Sequence, residues 1–176
     1  MKKIRILCAA VLAGASLAAA AAQTRDESVP THWRFGVQLG TEQDHKNTEP
    51  VGQVSMGYDL DRTWSVEALA DVSLLFMRDG SLQPADREFN YAVGARALAA
   101  LPLGERWRLV GGLGLVKFSE DIGNATGHND TVDKMSPMVS LAAMYRLGRR
   151  WSLGAEVSSF TQAHSVNAGL RAEIHF

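Results

Sequence analysis

The stretch that decides the fold is Val166–Phe176, VNAGLRAEIHF, at the end of the chain. Apolar residues alternate throughout it with polar, charged or glycine residues. Because successive side chains of a β-strand point to opposite faces, this pattern predicts a strand with one apolar and one polar face. A helix would mix the two sets around its surface.

Seven further stretches repeat this alternation, so the sequence predicts eight strands. The predicted strands are Trp33–Leu39, Gly52–Leu60, Trp64–Leu74, Tyr91–Leu101, Trp107–Phe118, Val139–Leu147, Trp151–Val157 and Val166–Phe176. In the fifth of them glycines enter both sets, so the alternation leaves its two faces undecided.

The connections between these strands alternate between tight and long. Tight turns are predicted at Leu60–Thr63, Leu103–Arg106 and Leu147–Arg150, each followed at once by a tryptophan. These tryptophans recur at intervals of 43 and 44 residues, which is one up-and-down hairpin per repeat. The longer, polar connections are Thr41–Pro50, Arg78–Glu88, Ser119–Ser136 and the shorter Thr161–Ser165. Short turns at one end and longer loops at the other are typical of bacterial outer-membrane barrels.

The beginning of the chain predicts export. Two lysines and an arginine precede the apolar run Ile6–Ala22, which ends in small residues, so we expect a signal peptide cleaved after Ala22. A membrane-spanning helix is the alternative, but the run barely reaches the roughly 20 apolar residues that a bilayer needs. The predicted segments are therefore a signal peptide (1–22), an N-terminal periplasmic segment (23–31) and a barrel (32–176).

Composition excludes several classes of function. The only cysteine, Cys8, lies within the predicted signal peptide, so the mature chain would have no disulfide, thiol nucleophile or cysteine metal site. Cleavage would leave 15 of the 18 basic residues against 19 acidic ones, a balance that does not favour nucleic-acid binding. No later segment approaches 18 consecutive apolar residues, which argues against a helical membrane protein.

The positions of the aromatic residues favour a membrane over a soluble sandwich, in which the apolar faces would pack against each other. The rings collect at strand ends, and aromatic rings prefer the two membrane–water interfaces. The aromatic residues expected at the tight-turn interface are Trp33, Tyr58, Trp64, Trp107, Tyr145, Trp151 and Phe176. A second girdle is expected near the long loops, from Phe76, Phe89, Tyr91, Phe118 and Phe160.

The polar set carries charges that we expect inside the barrel. They are Arg34, Asp59, Glu67, Asp71, Arg96, Arg108, Arg146, Glu156, Arg171 and Glu173. Five charges of each sign can pair with one another, as buried charges must. Because lipid offers no partners to the backbone, the sheet must close, and eight strands enclose a lumen that side chains fill.

The sequence therefore predicts an all-β protein, an eight-stranded antiparallel up-and-down transmembrane β-barrel. A wide pore is not expected. A narrow channel for small solutes, in which the interior charges tune ion passage, is left as one alternative.

From Trp33 to Phe176 the chain resembles the OmpA/OmpX-type small outer-membrane barrels in strand number, turn asymmetry and a last strand that ends in phenylalanine. The resemblance implies an integral protein of the cell outer membrane, in contact with outer-membrane lipid and lipopolysaccharide. It also implies that the barrel-assembly machinery recognises Leu170, Ala172, Ile174 and Phe176. We expect a monomer without cofactor or catalysis, with a structural, envelope-integrity or surface-interaction role.

One short stretch suggests an enzymatic alternative. Ala163–Leu170 resembles the His/Ser region of outer-membrane lipid A deacylases, which use a Ser–His–Glu triad on the outer surface of the barrel. His164 would then be the base and Ser165 the nucleophile of an acyl hydrolase. The two are adjacent here, whereas one residue separates them in that family, and Glu173 is predicted to point inward.

The loops contain histidines beside carboxylates, namely His45 with Glu42 and Asp44, and His128 with Asp130. No ligand spacing is fixed in either group, so we interpret both as parts of acidic, hydrated loops and expect no metal site.

Overall fold

The computed structural model describes residues 33–43, 48–74, 87–123, 129–162 and 165–176, which form a closed barrel of eight antiparallel strands. Each strand pairs with its neighbours in sequence, and β1 pairs with β8 to close the sheet. The strands are β1 (Trp33–Gln43), β2 (Thr48–Asp59), β3 (Trp64–Ser73), β4 (Arg87–Pro102), β5 (Trp107–Gly123), β6 (Asn129–Arg146), β7 (Trp151–Phe160) and β8 (Ser165–His175). The predicted fold is confirmed.

The remaining parts of the chain include the predicted signal peptide and the segment 23–31, which lie outside the described residues. Within the described residues, no helix is long and apolar enough to cross a membrane.

The two faces of the sheet differ in the way that the alternation predicts. In β8 the side chain of Leu170 is 68% exposed on the outer face, whereas its neighbour Arg171 is 2% exposed in the lumen. In β1, Val37 and Leu39 are exposed while Gln38 between them is buried. No protein covers this apolar outer surface in the described part of the barrel, so its extent indicates a lipid environment.

The three tight turns share one backbone hydrogen bond. The leucine that precedes each turn donates its N–H to the carbonyl of the tryptophan that follows: Leu60 to Trp64 (2.9 Å), Leu103 to Trp107 (2.8 Å) and Leu147 to Trp151 (3.0 Å). In the second turn Gly104 has φ of 125°, a conformation that glycine adopts without strain. The sequence repeat is therefore a structural repeat.

The sheet continues further at the long-loop end than the sequence predicts. Ser119–Ser136 was expected to be a loop, but β5 runs on to Gly123 and β6 already begins at Asn129. The pairing of β6 with β7 ends at Met138, so the preceding residues of β6 pair with β5 alone. The loop prediction was wrong because this extension has polar residues on both faces, which leaves no apolar alternation to detect.

Candidate functional site

The lumen contains a buried network of charges centred on Arg171 of β8. Its guanidinium contacts Glu67 of β3, and it donates from Nη1 to Glu156 of β7 and from Nε to Glu173, both at 2.8 Å. Ser55 of β2 accepts a further bond at 3.2 Å. One arginine therefore compensates carboxylates from three strands.

Glu67 is the matching acidic centre. Besides Arg171, it accepts a bond from Arg96 of β4 at 2.6 Å, and Arg34 of β1 lies 3.5 Å away. Arg96 also contacts Glu156. Because Glu67 and Arg96 occupy paired positions on β3 and β4, the sheet register itself brings these two side chains together.

The network continues toward the tight-turn end of the barrel. There Arg34 donates to Asp59 at 2.8 Å, and Arg108 contacts Glu173. We call the connected set the ionic lattice: Arg34, Asp59, Glu67, Arg96, Arg108, Glu156, Arg171 and Glu173. It takes side chains from every strand except β6, so it braces the barrel across its interior.

Two predicted lumen charges do not belong to this lattice. In the alternation of β6, Arg146 belongs to the residues that face the lumen. It stands at the end of the strand beside a tight turn, however, and its side chain is exposed. Asp71 is buried in the lumen, yet it pairs with Gln53 and Ala92 in the sheet and makes none of the salt bridges found among the described residues. The alternation gives the face of a side chain but not its height along the barrel, which is why the sequence predicts both among the mutually paired interior charges.

Glycines make room for the arginines, a role that sequence reasoning missed. A Cβ added to Gly57 would lie 2.7 Å from Nε of Arg34, and one added to Gly36 would lie 2.6 Å from Oγ of Ser55 and 3.1 Å from Nη2 of Arg171. Both glycines stand on inward positions. In the sequence, both glycines belong to the alternating set that carries the charged residues. This position is the signal that could have revealed their role.

An apolar layer fills the β3–β7 side of the lumen, toward the long-loop end from the lattice. It is formed by the buried residues Leu69, Ala92, Val116, Phe118, Met138 and Phe160. Phe118 and Phe160 were expected in the outer girdle, and this prediction was wrong, since each is 1% exposed inside the barrel. Phe160 lies four residues after Glu156 and therefore on the same, inward face of β7. This alternation is a better guide to its direction than its position near the strand end.

The aromatic residues at the tight-turn end do face outward. Trp33 packs edge-on against Tyr58, and Trp107 is tilted against Tyr145, with ring centroids 5.0 Å apart in both pairs. Of the other members predicted there, Trp64, Trp151 and Phe176 are exposed. Tyr91 is exposed near the other end, whereas the side chains of Phe76 and Phe89 lie outside the described residues.

The predicted assembly signal lies on the outer side of β8. Leu170 and Phe176 are exposed, and Ala172 and Ile174 are half-buried at positions of the same parity. Recognition of these residues by the assembly machinery stays a prediction.

The structure places Ser165 away from lipid. Its side chain is 2% exposed and faces the lumen, on the same side of β8 as Asn167 and Arg171. A hydroxyl in this position cannot reach an acyl chain on the outer face, which a surface hydrolase requires. His164 lies outside the described residues, as do the histidines of the two loops considered as metal sites.

Comparison with known proteins agrees with this geometry. Residues 7–160 match the family model described as the outer membrane protein beta-barrel domain. The chain belongs to this family. The family indicates the outer membrane as the location of the protein. No protein of curated function matches the chain in sequence.

Solved outer-membrane barrels share the fold at low sequence identity. The N-terminal barrel of Pseudomonas aeruginosa OprF superposes with a TM-score of 0.60 at 11% identity, covering 81% of this chain and 97% of that one. Ail, the attachment invasion locus protein of Yersinia pestis, gives 0.58 at 13% identity, covering 84% and 99%. Neisserial surface protein A gives 0.55 at 11% identity, covering 82% and 96%. At these identities the likeness concerns the fold.

Proposed function

We propose that this protein is a non-catalytic, non-conducting integral barrel that acts through its outer surface and its long-loop end, in envelope structure or surface interaction. The observation that supports this most is that side chains occupy much of the lumen, the ionic lattice by salt bridges between strands and the apolar layer by packing. These side chains obstruct a continuous pore, so we take the exterior as the working surface. Its partners are then outer-membrane lipid and lipopolysaccharide, which the exposed apolar face would contact as a monomer.

Measurements of conductance and of hydrolysis test whether the barrel is non-conducting and non-catalytic. In planar bilayers the refolded protein is expected to give no discrete channel openings, and with lipopolysaccharide it should release no fatty acid. Regular openings would favour the narrow channel. Fatty-acid release that is lost in Ser165→Ala would favour the hydrolase.

Deletion of the gene tests the proposed role in envelope structure or surface interaction. A deletion strain is expected to become more permeable to large hydrophobic antibiotics, and the wild-type gene should restore the barrier. Unchanged permeability together with unchanged surface binding would contradict the proposal.

The extension of the β5–β6 hairpin favours surface interaction as the more specific role. Ion pairs between its strands stiffen it: Lys117 lies 2.7 Å from Asp133, with both side chains exposed, and Lys134 lies 3.1 Å from the buried Glu120. Between Asn129 and the start of the β7 pairing, this hairpin rises on the order of 30 Å along the strand direction. The neighbour Ail is named for attachment and invasion, and it shares the fold.

A shortened variant tests this role directly. Ser119 and Asp133 occupy paired positions, so a two-residue Asn-Gly turn in place of residues 120–132 should close the hairpin. It removes the partners of only the first three residues of β4, Arg87–Phe89, and leaves the strand pairing below them in place. We expect binding of cells to host surfaces to fall while the antibiotic barrier stays intact. Equal binding by both forms would exclude the extension as the binding surface.

A further inference from the structure

The tight-turn end of the barrel is basic. The three turns contain Arg62, Arg106, Arg149 and Arg150, all exposed, against two acidic residues, Asp61 and Glu105. The carboxylate of Asp61 is already engaged, because it accepts the backbone N–H groups of Thr63 and Trp64 at 2.7 Å. This end therefore presents guanidinium groups close to the aromatic girdle.

Two of these arginines, Arg106 and Arg149, line a shallow, open cleft between two neighbouring turns, and Arg146 at the end of β6 joins them there. The cleft has a volume of about 290 Å³ and is lined by Glu105, Arg106, Arg146, Leu147, Gly148 and Arg149. Three positive charges thus face one negative charge. Arg146 enters this set from β6, which explains why it stands apart from the ionic lattice.

Hydrogen bonds fix the walls of the cleft. The backbone N–H of Arg146 donates to the carbonyl of Arg106 at 2.8 Å, which ties the two turns together. Nη1 of Arg106 donates to the Tyr145 hydroxyl at 3.1 Å, which orients this guanidinium and leaves its other N–H groups to bond elsewhere.

Apolar, lipid-facing residues border the same cleft. Leu147 is 61% exposed and Trp107, whose ring packs against Tyr145, is 51% exposed. Guanidinium groups bind phosphate through paired hydrogen bonds, and exposed leucine and tryptophan at a membrane interface contact acyl chains. An amphiphile with an anionic head satisfies both halves of this surface.

The short turns of outer-membrane barrels face the periplasm. We propose that the cleft binds the phosphate group of an anionic phospholipid in the periplasmic leaflet, through Arg106, Arg146 and Arg149. The lipid would anchor the tight-turn end of the barrel at a fixed depth. This inference does not depend on what the long-loop end binds.

Native mass spectrometry of the full barrel tests the site with defined lipids. Phosphatidylglycerol is expected to stay bound in preference to phosphatidylcholine, because only the former carries a net negative charge. Glycerol 3-phosphate serves as the soluble phosphate without acyl chains. If it bound as tightly as phosphatidylglycerol, the assignment to lipid would be overturned.

Two double variants with equal charge separate the cleft from the general basic surface. Arg106→Gln with Arg149→Gln removes two cleft arginines, and Arg62→Gln with Arg150→Gln removes two turn arginines that do not line it. The cleft variant is expected to bind phosphatidylglycerol about tenfold more weakly, in line with the loss of charge-assisted hydrogen bonds. The control variant should stay within about twofold of wild type. Equal losses in both variants, or none in the cleft variant, would overturn the proposal, provided that heat-modifiable migration shows all barrels folded.

Discussion

Arg171 and Glu67 contact each other across the lumen, although 104 residues separate them and their strands, β8 and β3, are not neighbours in the sheet. Backbone hydrogen bonds join each strand only to the next. A side-chain bond between distant strands therefore braces the barrel in a direction that the sheet does not, which makes the ionic lattice a structural element.

Arg171→Met should destabilise the barrel strongly. The change leaves Glu67, Glu156 and Glu173 buried with fewer compensating charges, and breaking a buried ion network in this way costs about 3–5 kcal/mol. Urea unfolding in detergent, followed by heat-modifiable migration, measures the loss.

The exposed ion pair of Lys117 with Asp133 supplies the control for this variant. Lys117→Gln removes a pair that lies 2.7 Å apart but faces solvent, so the unfolding midpoint should hardly move. Equal sensitivity of Arg171→Met and Lys117→Gln would mean that the lattice does not stabilise the barrel.

Gly57→Ala should also weaken the barrel, through crowding. The added Cβ would lie 3.0 Å from Cγ of Arg34 and closer still to Nε, so Arg34 would have to move away from Asp59. Inserting a group into a packed interior costs roughly 1–3 kcal/mol. Gly148→Ala is the matched control, since a Cβ there meets no atom within 4 Å. Identical urea midpoints for the two variants would show that Gly57 does not make room for Arg34.

A charge placed on the outer face tests how deep each position lies in the bilayer. Leu113→Arg, in the middle of β5, should cost about 2–4 kcal/mol, whereas Leu60→Arg beside a tight turn should cost about 0–1 kcal/mol. Both leucines are exposed to the same side of the sheet, so exposure alone does not distinguish them. Reversible unfolding in phospholipid bilayers gives both values, and equal costs would conflict with the assigned membrane span.

The sequence was enough for the strand pattern and for most of the lattice. Alternation with a period of two identifies which residues face the lumen, and Arg34, Glu67, Arg96 and Arg171 follow from it directly. What it could not supply is the relative height of residues on different strands, because that depends on the stagger of the closed sheet. For this reason Asp71 was grouped with arginines that it does not contact.

The sequence did not predict the apolar layer or the basic cleft, because both depend on which strands pair with each other. Phe118 follows a stretch of β5 in which glycines blur the two faces, so its inward direction could be read only from the pairing with its neighbours. The cleft joins two turns that lie 40 residues apart along the chain, and only the β5–β6 pairing brings them side by side.

The central claim is that lipid covers the apolar outer face of the barrel. Nitroxide labels test it at the single variants Leu39→Cys, Leu113→Cys and Leu170→Cys, with Gly148→Cys in a turn as the aqueous reference. The predicted mature chain has no other cysteine. In reconstituted bilayers the three strand labels should relax strongly with dissolved oxygen and weakly with a water-soluble nickel chelate, and the turn label should show the reverse. Strand labels as open to the nickel chelate as the turn label would contradict the claim.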